Sequence, residues 1–284
     1  MGSNRKTPHV SRIWKGGQLA DNRKISNKRN ERLPKKGNLL LFVGEYMKYD
    51  KKKAIEIIVD AAKNYKESLQ DKTFLIIYQN AETVESFQVE FRDNHFLHLT
   101  GIKTKLSAQH FYEKCINGKL AVEEIELDQN GKTQQKLLVL PFLHELLYHN
   151  CMVGSFINSG IYIRADYFVG NTKAVLSVGF RYGKKFDFPV SLYREDVRKL
   201  SHPTNKVLAI FVKSFKQKTY TECTYLSKGQ EIHKLPVSNE VKKLLGMENL
   251  YSQLDKGIDD VEAGRVHTVD EAFQIVRARI KNEL

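Results

Sequence analysis

The sequence predicts an α+β protein, with N-terminal helices and a hairpin packed on an antiparallel β-sheet, and then a C-terminal helical tail. Three observations carry this. Apolar residues recur at helical spacing over 50–69. Between 160 and 226, strand-length apolar runs follow one another with no helix-length spacer. After Ser238 the helical spacing returns. The 284 residues are 41% hydrophobic and 10% aromatic, enough for a core, which excludes a wholly disordered chain.

Residues 1–38 form a basic head without a sustained period, read as disordered in isolation. It holds eleven Lys and Arg against Asp21 and Glu31, a net +9 of the chain's +13. Its cations are Arg5, Lys6, Arg12, Lys15, Arg23, Lys24, Lys28, Arg29, Arg32, Lys35 and Lys36. They make a candidate nucleic-acid-binding segment, because Lys and Arg displace the counterions of phosphates. Trp14 could stack on a base there. A merely solubilising tail has the same composition.

The α+β domain is expected over 39–236. Residues 39–44 (LLLFVG) are a short strand or the entry to a helix. Asp50 opens an amphipathic helix with Ile55, Ile58, Val59, Ala62 and Leu69 on one face. Residues 73–79 and 85–91 read as a hairpin joined by 80–84. Ser107 caps a short helix over 108–117, stopped by Gly118. A further helical region runs over 134–149, kinked or restarted at Pro141. Gly154 to Gly160 reads as a break. Strands are expected at 160–169, 173–181, 186–193, 206–214 and 218–226. Gly170-Asn171 and Gly183-Lys184 read as turns, and 201–205 as a loop. In the tail, 237–284, Leu250, Leu254, Ile258 and Val261 make an apolar stripe. Thr268 and Glu271 then cap a helix that carries Phe273, Val276 and Ile280.

The chain contains no GxxxxGK[ST], GxGxxG, HExxH, CxxC or GxSxG pattern, so the strongest signals for NTPases, dinucleotide enzymes, common zinc hydrolases and serine esterases are missing. No cofactor and no metal is called for. Cys115, Cys151 and Cys223 are scattered, as in the reduced thiols of a cytoplasmic protein. No apolar run is long enough for a membrane span, and Arg5 and Lys6 precede no signal-like apolar region.

The remaining residues include His95, His98, His110, Tyr112, Arg164, Asp166, Arg181, Ser191, Tyr193, Lys213, Tyr220 and Tyr225. Such side chains can cleave RNA without a metal. A base takes the 2′-OH proton, an acid protonates the 5′-oxygen, and cations stabilise the phosphorane. Histidine serves either proton role at neutral pH. Each residue has a plainer reading. In it His98, between Leu97 and Leu99, is a core histidine, Asp166 pairs with Arg164 or caps a bulge, and Ser191 is a turn residue.

The stretch FQVEFRDNHFLHLTGI (87–102), the following Phe111-Tyr112 and the stretch 162–192 resemble a phage-associated family of predicted nucleases. That family is grouped with barnase, EndoU, the colicin E5 and D domains and RelE as the BECR fold. The resemblance spans roughly 40–235, with His98-Leu99-Thr100-Gly101 as its best motif. It implies metal-independent RNA cleavage, with His98 as the first candidate for acid/base work or phosphate contact. Arg164, Ser191 and Lys213 are the sheet candidates. The end of the chain (254–280) is similar to the ends of small RelB- and Phd/YefM-type antitoxins, or is a generic helical hairpin. It would dock on the sheet domain, restrain activity, or pair two copies into a homodimer.

The expected protein is therefore a ribonuclease-like protein of a phage or mobile element, in a toxin or anti-defence role. Its partner would be RNA or another nucleic acid. The alternative is a non-catalytic protein that binds nucleic acid or a host defence nucleoprotein, as anti-restriction or anti-CRISPR proteins do. Convergence of His98 with at least two sheet candidates in one basic cleft would favour the enzyme.

Overall fold

The structure is a computed structural model that describes residues 12–15, 18–21, 48–156, 165–171, 175–247, 258–259, 261–264 and 271, with the backbone alone at 12–15 and 18–21. The element expected at 39–44 lies outside the described residues. So do Arg164, the remaining cations of the head, and the tail residues Leu250, Leu254, Thr268, Phe273, Val276 and Ile280.

Within the head, β1 (Arg12–Lys15) and β2 (Gln18–Asp21) pair antiparallel. Helix α1 (Lys51–Ser68) starts where Asp50 Oδ1 accepts the Lys53 amide at 2.7 Å, which satisfies one of the orphan amides of the first turn. Its buried face is Ala54, Ile58, Ala61, Ala62 and Tyr65. Strands β3 (Lys72–Asn80) and β4 (Thr83–Phe91) form the expected hairpin.

Helices α2 (Phe96–Thr100), α3 (Ala108–Ile116) and α4 (Lys132–Val139) follow. Ser107 Oγ accepts the His110 amide and caps α3 as expected. Pro141 opens a separate 3-10 segment, Leu140–Tyr148, so the helical region does restart there. Next come β5 (Met152–Phe156), β6 (Tyr167–Asn171), β7 (Leu176–Arg181), β8 (Phe188–Tyr193), the short helix α5 (Val197–Leu200), β9 (Ser201–Ser214) and β10 (Glu222–Leu226).

All the strands belong to one curled sheet, ordered β2-β1-β10-β9-β5-β6-β7-β8, with β3 and β4 attached through a second β3–β9 pairing. The hairpin thus lies in the sheet, not upon it. Phe74, Leu75, Ile76 and Ile77 are all buried, and a strand apolar on both faces belongs inside a sheet with cover on both sides. The curl brings Asp187, just before β8, onto β4. There the Glu90 amide donates to the Asp187 carbonyl at 2.9 Å, and the Asp187 amide donates to Gln88 at 2.9 Å. One core joins helices to sheet, with Ile58, Tyr65, Phe74, Phe91, Phe96, Phe111 and Phe180 fully enclosed.

Three turn expectations are corrected. Gly154 lies inside β5 because a Cβ there would stand 2.0 Å from Ser201 Oγ; the glycine permits close approach. Gly170-Asn171 ends β6 in register with Ser177 and Leu176. Residues 201–205 belong to β9, paired with β5.

The chain divides into two compact units, Met1–Ser238 and Asn239–Leu284. In the second, α6 (Asn239–Leu244) follows Ser238 as expected. Ile258 and Val261 of the expected apolar stripe are exposed there, at 55% and 63%.

Candidate active site

Four backbone features place the site. Helix α2 ends at Thr100, and Gly101 takes the left-handed conformation (φ 71°) that closes it. The Thr100 hydroxyl donates back to the Leu97 carbonyl at 2.7 Å and accepts the Ile102 amide at 3.1 Å. Buried Thr133 on α4 donates to the Gly101 carbonyl at 2.7 Å, which ties α4 to the end of α2. On β8 a bulge sets a step of two, from Pro189 to Ser191, against the single step from Phe180 to Gly179 on β7. The bulge resets the alternation of β8, so Phe188 and Ser191 share a face although three positions apart.

Lys136 lies one turn beyond Thr133 on α4 and reaches both elements. Its Nζ donates to Ser191 Oγ at 2.9 Å and to the His98 carbonyl at 2.9 Å. Its stem passes over Gly101, where a Cβ would meet Lys136 Cδ at 2.7 Å. Burial lowers the ammonium to about 8, and Lys132 one turn back adds repulsion. Such a lysine can release and regain its proton near neutral pH, or hold its charge against a phosphorane.

The His98 side chain is exposed, which corrects the core-histidine reading; the buried members of α2 are Phe96, Leu99 and Thr100. His95 is the histidine that packs. Its ring stacks on Phe188 with centroids 5.6 Å apart, and its Nδ1 accepts the Arg92 amide at 3.2 Å. Burial lowers His95 to about 4, with Arg92 and His98 adding repulsion. The ring is therefore neutral at pH 7, with its proton on Nε2. Tyr193, two positions beyond Ser191, is raised by burial, against a lowering by the Ser191 hydroxyl.

Of the sequence candidates, then, Ser191 and the backbone carbonyl of His98 meet at Lys136. Lys213 faces elsewhere. Its Nζ donates to the Lys218 carbonyl at 2.9 Å and lies 4.7 Å from the centre of the Tyr220 ring. Asp166 accepts the Tyr182 amide at 2.8 Å, so its local role is a turn contact. Cys115, Cys151 and Cys223 are free thiols, each pushed by burial to about 12, and none is poised as a nucleophile. Among the described residues, no group of three His, Cys, Asp or Glu is placed to hold a metal ion.

Lys136 is the residue that sequence reasoning missed. It is an unremarkable cation on an amphipathic helix, and only its place one turn after Thr133, whose hydroxyl bonds Gly101 32 residues earlier, marks it.

The family described as phage-Barnase-EndoU-ColicinE5/D-RelE like nuclease 4 matches residues 57–229. The chain belongs to this nuclease family. The match spans β3 through β10, including α2, Lys136 and Ser191, and lies within the 40–235 range of the sequence resemblance. No curated protein and no solved structure gives a significant match. Among the described residues no helix is long and apolar enough to cross a membrane.

Proposed function

We propose that this nuclease cleaves RNA by attack of its own 2′-hydroxyl, without a metal, at the Lys136–Ser191–His98 cluster. The observation that supports this most is the Lys136 ammonium, bridged to Ser191 and to α2 and lowered by burial to about 8. The exposed His98 imidazole takes the 2′-OH proton. The 2′-oxygen then bonds to phosphorus, and the bond from phosphorus to the 5′-oxygen breaks. Lys136 gives its proton to that departing oxygen, while Ser191 holds the amine in place. The products are a 2′,3′-cyclic phosphate and a 5′-hydroxyl. Solvent returns the proton from His98 to Lys136.

The experiment is incubation of the purified chain with tRNA and mRNA in EDTA, with mapping of the ends. Discrete ends with 2′,3′-cyclic phosphates, lost in Lys136→Met, are the expected result. Intact RNA with a folded, RNA-binding protein would favour the binding-only reading, toward which the displacement of Lys213 points. The setting we infer is a phage or mobile element, for which the phage-associated family description speaks, and the role we infer there is that of a toxin or anti-defence protein.

A further inference from the structure

The turn between β7 and β8 carries a feature that the proposed chemistry does not use. Tyr182 is 70% exposed, the most exposed large apolar side chain among the described residues. It is nevertheless held in place. Its amide donates to Asp166 Oδ2 at 2.8 Å, and the next amide, of Gly183, donates to Asp187 Oδ1 at 3.1 Å. The other Asp187 oxygen accepts the Tyr167 hydroxyl at 2.8 Å. Gly183 permits this closure, since a Cβ there would stand 2.0 Å from the Phe186 carbonyl oxygen.

The Tyr182 ring also continues an aromatic column. Tyr167 stacks on Phe180 at 5.5 Å and 10°, and Tyr182 leans on Tyr167 at 5.6 Å and 36°. Arg181, Lys184 and Lys185 flank Tyr182 in the turn, all exposed; Lys185 Nζ lies 5.2 Å from the centre of the Phe186 ring, and none of the three forms an ion pair among the described residues. The carboxylates nearby, Asp166 and Asp187, are occupied by the turn itself.

We infer that the 181–187 turn is a stacking platform for one unpaired base of a single-stranded nucleic acid, with Arg181, Lys184 and Lys185 meeting the flanking phosphates. A fixed aromatic face ringed by cations suits that ligand: every base offers a π-face, and the backbone brings negative charge at each nucleotide. A duplex would present no free base face to the ring. Burial lowers the Lys213 ammonium, and repulsion from Lys185 of this turn adds to the lowering. The inference rests on the nuclease reading for its substrate class, but its test does not depend on cleavage.

The test uses the full chain and a short single-stranded DNA that carries 2-aminopurine and has no 2′-OH to attack. The intact protein should quench the 2-aminopurine. Tyr182→Ala should remove the quenching and weaken binding by about 5- to 100-fold, the range of one base stack. Tyr182→Phe should keep both. Lys184→Gln with Lys185→Gln should flatten the salt dependence. Unaltered melting of each variant shows that the fold is kept. Absence of quenching by the intact chain overturns the platform, as does a Tyr182→Ala variant that quenches and binds normally. So does binding to anionic lipid vesicles that Tyr182→Ala abolishes while binding of the single strand is unaltered. Quenching that depends on Tyr182, in a chain that never cuts RNA, keeps the platform and rejects the ribonuclease proposal.

Discussion

The Lys136 ammonium stands 2.9 Å from the Ser191 hydroxyl, joining helix α4 to strand β8 across 55 residues of chain. Its second bond, to the His98 carbonyl, fixes the end of α2 to the same point. A single side chain therefore ties α4 to both the end of α2 and the sheet.

Removal of that amine should be felt in activity. Lys136→Met keeps the apolar stem and should lower RNA cleavage by roughly 10²–10⁴, the usual contribution of one acid or base. As the acid, Lys136 must be protonated, so cleavage by the intact protein should decline above about pH 8. A Lys136→Met variant with full activity would remove this residue from the mechanism.

The same amine should appear in stability. It gives up its proton near pH 8 in the folded chain and near 10.4 when unfolded. Between those values the unfolded chain binds more protons, so stability rises with pH, by up to about 3 kcal/mol. Urea midpoints at pH 7.5, 8.5 and 9.5 should climb in the intact protein and stay level in Lys136→Met. Equal climbs would mean that the amine is not buried as described.

His98→Ala should leave stability within about 0.5 kcal/mol, as for exposed positions without structural partners. Its backbone carbonyl, the only part that Lys136 touches, survives the substitution. RNA cleavage should nevertheless fall by roughly 10²–10⁴. Normal cleavage by His98→Ala would assign the base elsewhere.

The sequence made the helices legible through caps and spacing. Asp50, Ser107 and Pro141 each mark a boundary by local chemistry, which does not depend on the rest of the chain. Glycines misled for the opposite reason. Gly154 and Gly170 read as punctuation, yet each makes room for a side chain of another element: at Gly170 a Cβ would meet Ser177 Oγ at 2.5 Å and Val197 Cβ at 2.6 Å. Such encounters are set by the curl of the sheet, which has no local signature. His98 and Ser191 could be named from residue type and motif. Lys136 could not, because it is one of 46 Lys and Arg and gains its character only from burial beside Gly101. Lys213 stands by Lys218 and Tyr220 and not by Ser191; strand position does not tell which region of a curled sheet a side chain faces.

Gly101→Ala tests that burial from the opposite side. An alanine at φ 71° costs roughly 1–2 kcal/mol. Its Cβ would also stand 2.7 Å from Lys136 Cδ and push the stem aside. Cleavage should thus fall more steeply than the stability loss accounts for. A destabilised variant with normal activity per folded molecule would show that the stem has room to move.

His95 supplies the acid-side counterpart. Folded, it takes a proton only near pH 4, whereas an unfolded histidine does so near 6.5. Below 6.5 the unfolded chain gains a proton that the folded chain refuses. Stability present at pH 7 should therefore drain away as the pH falls toward 4, by up to about 3 kcal/mol. Burial lowers His149 as well, so two histidines share this window. Glu85, Glu124 and Asp196, which hydrogen bonds hold below their usual range, act at lower pH, because unfolded carboxylates protonate only near 4. His95→Gln removes the titrating ring while keeping a polar side chain over Phe188. It should lower stability at pH 7 through loss of the stack, yet flatten the decline between pH 6.5 and 4.5. Urea unfolding at four pH values across that range measures both effects. If His95→Gln declines as steeply as the intact protein, the ring takes its proton in the folded state, and the neutral Nε2–H assigned to it beside His98 is wrong.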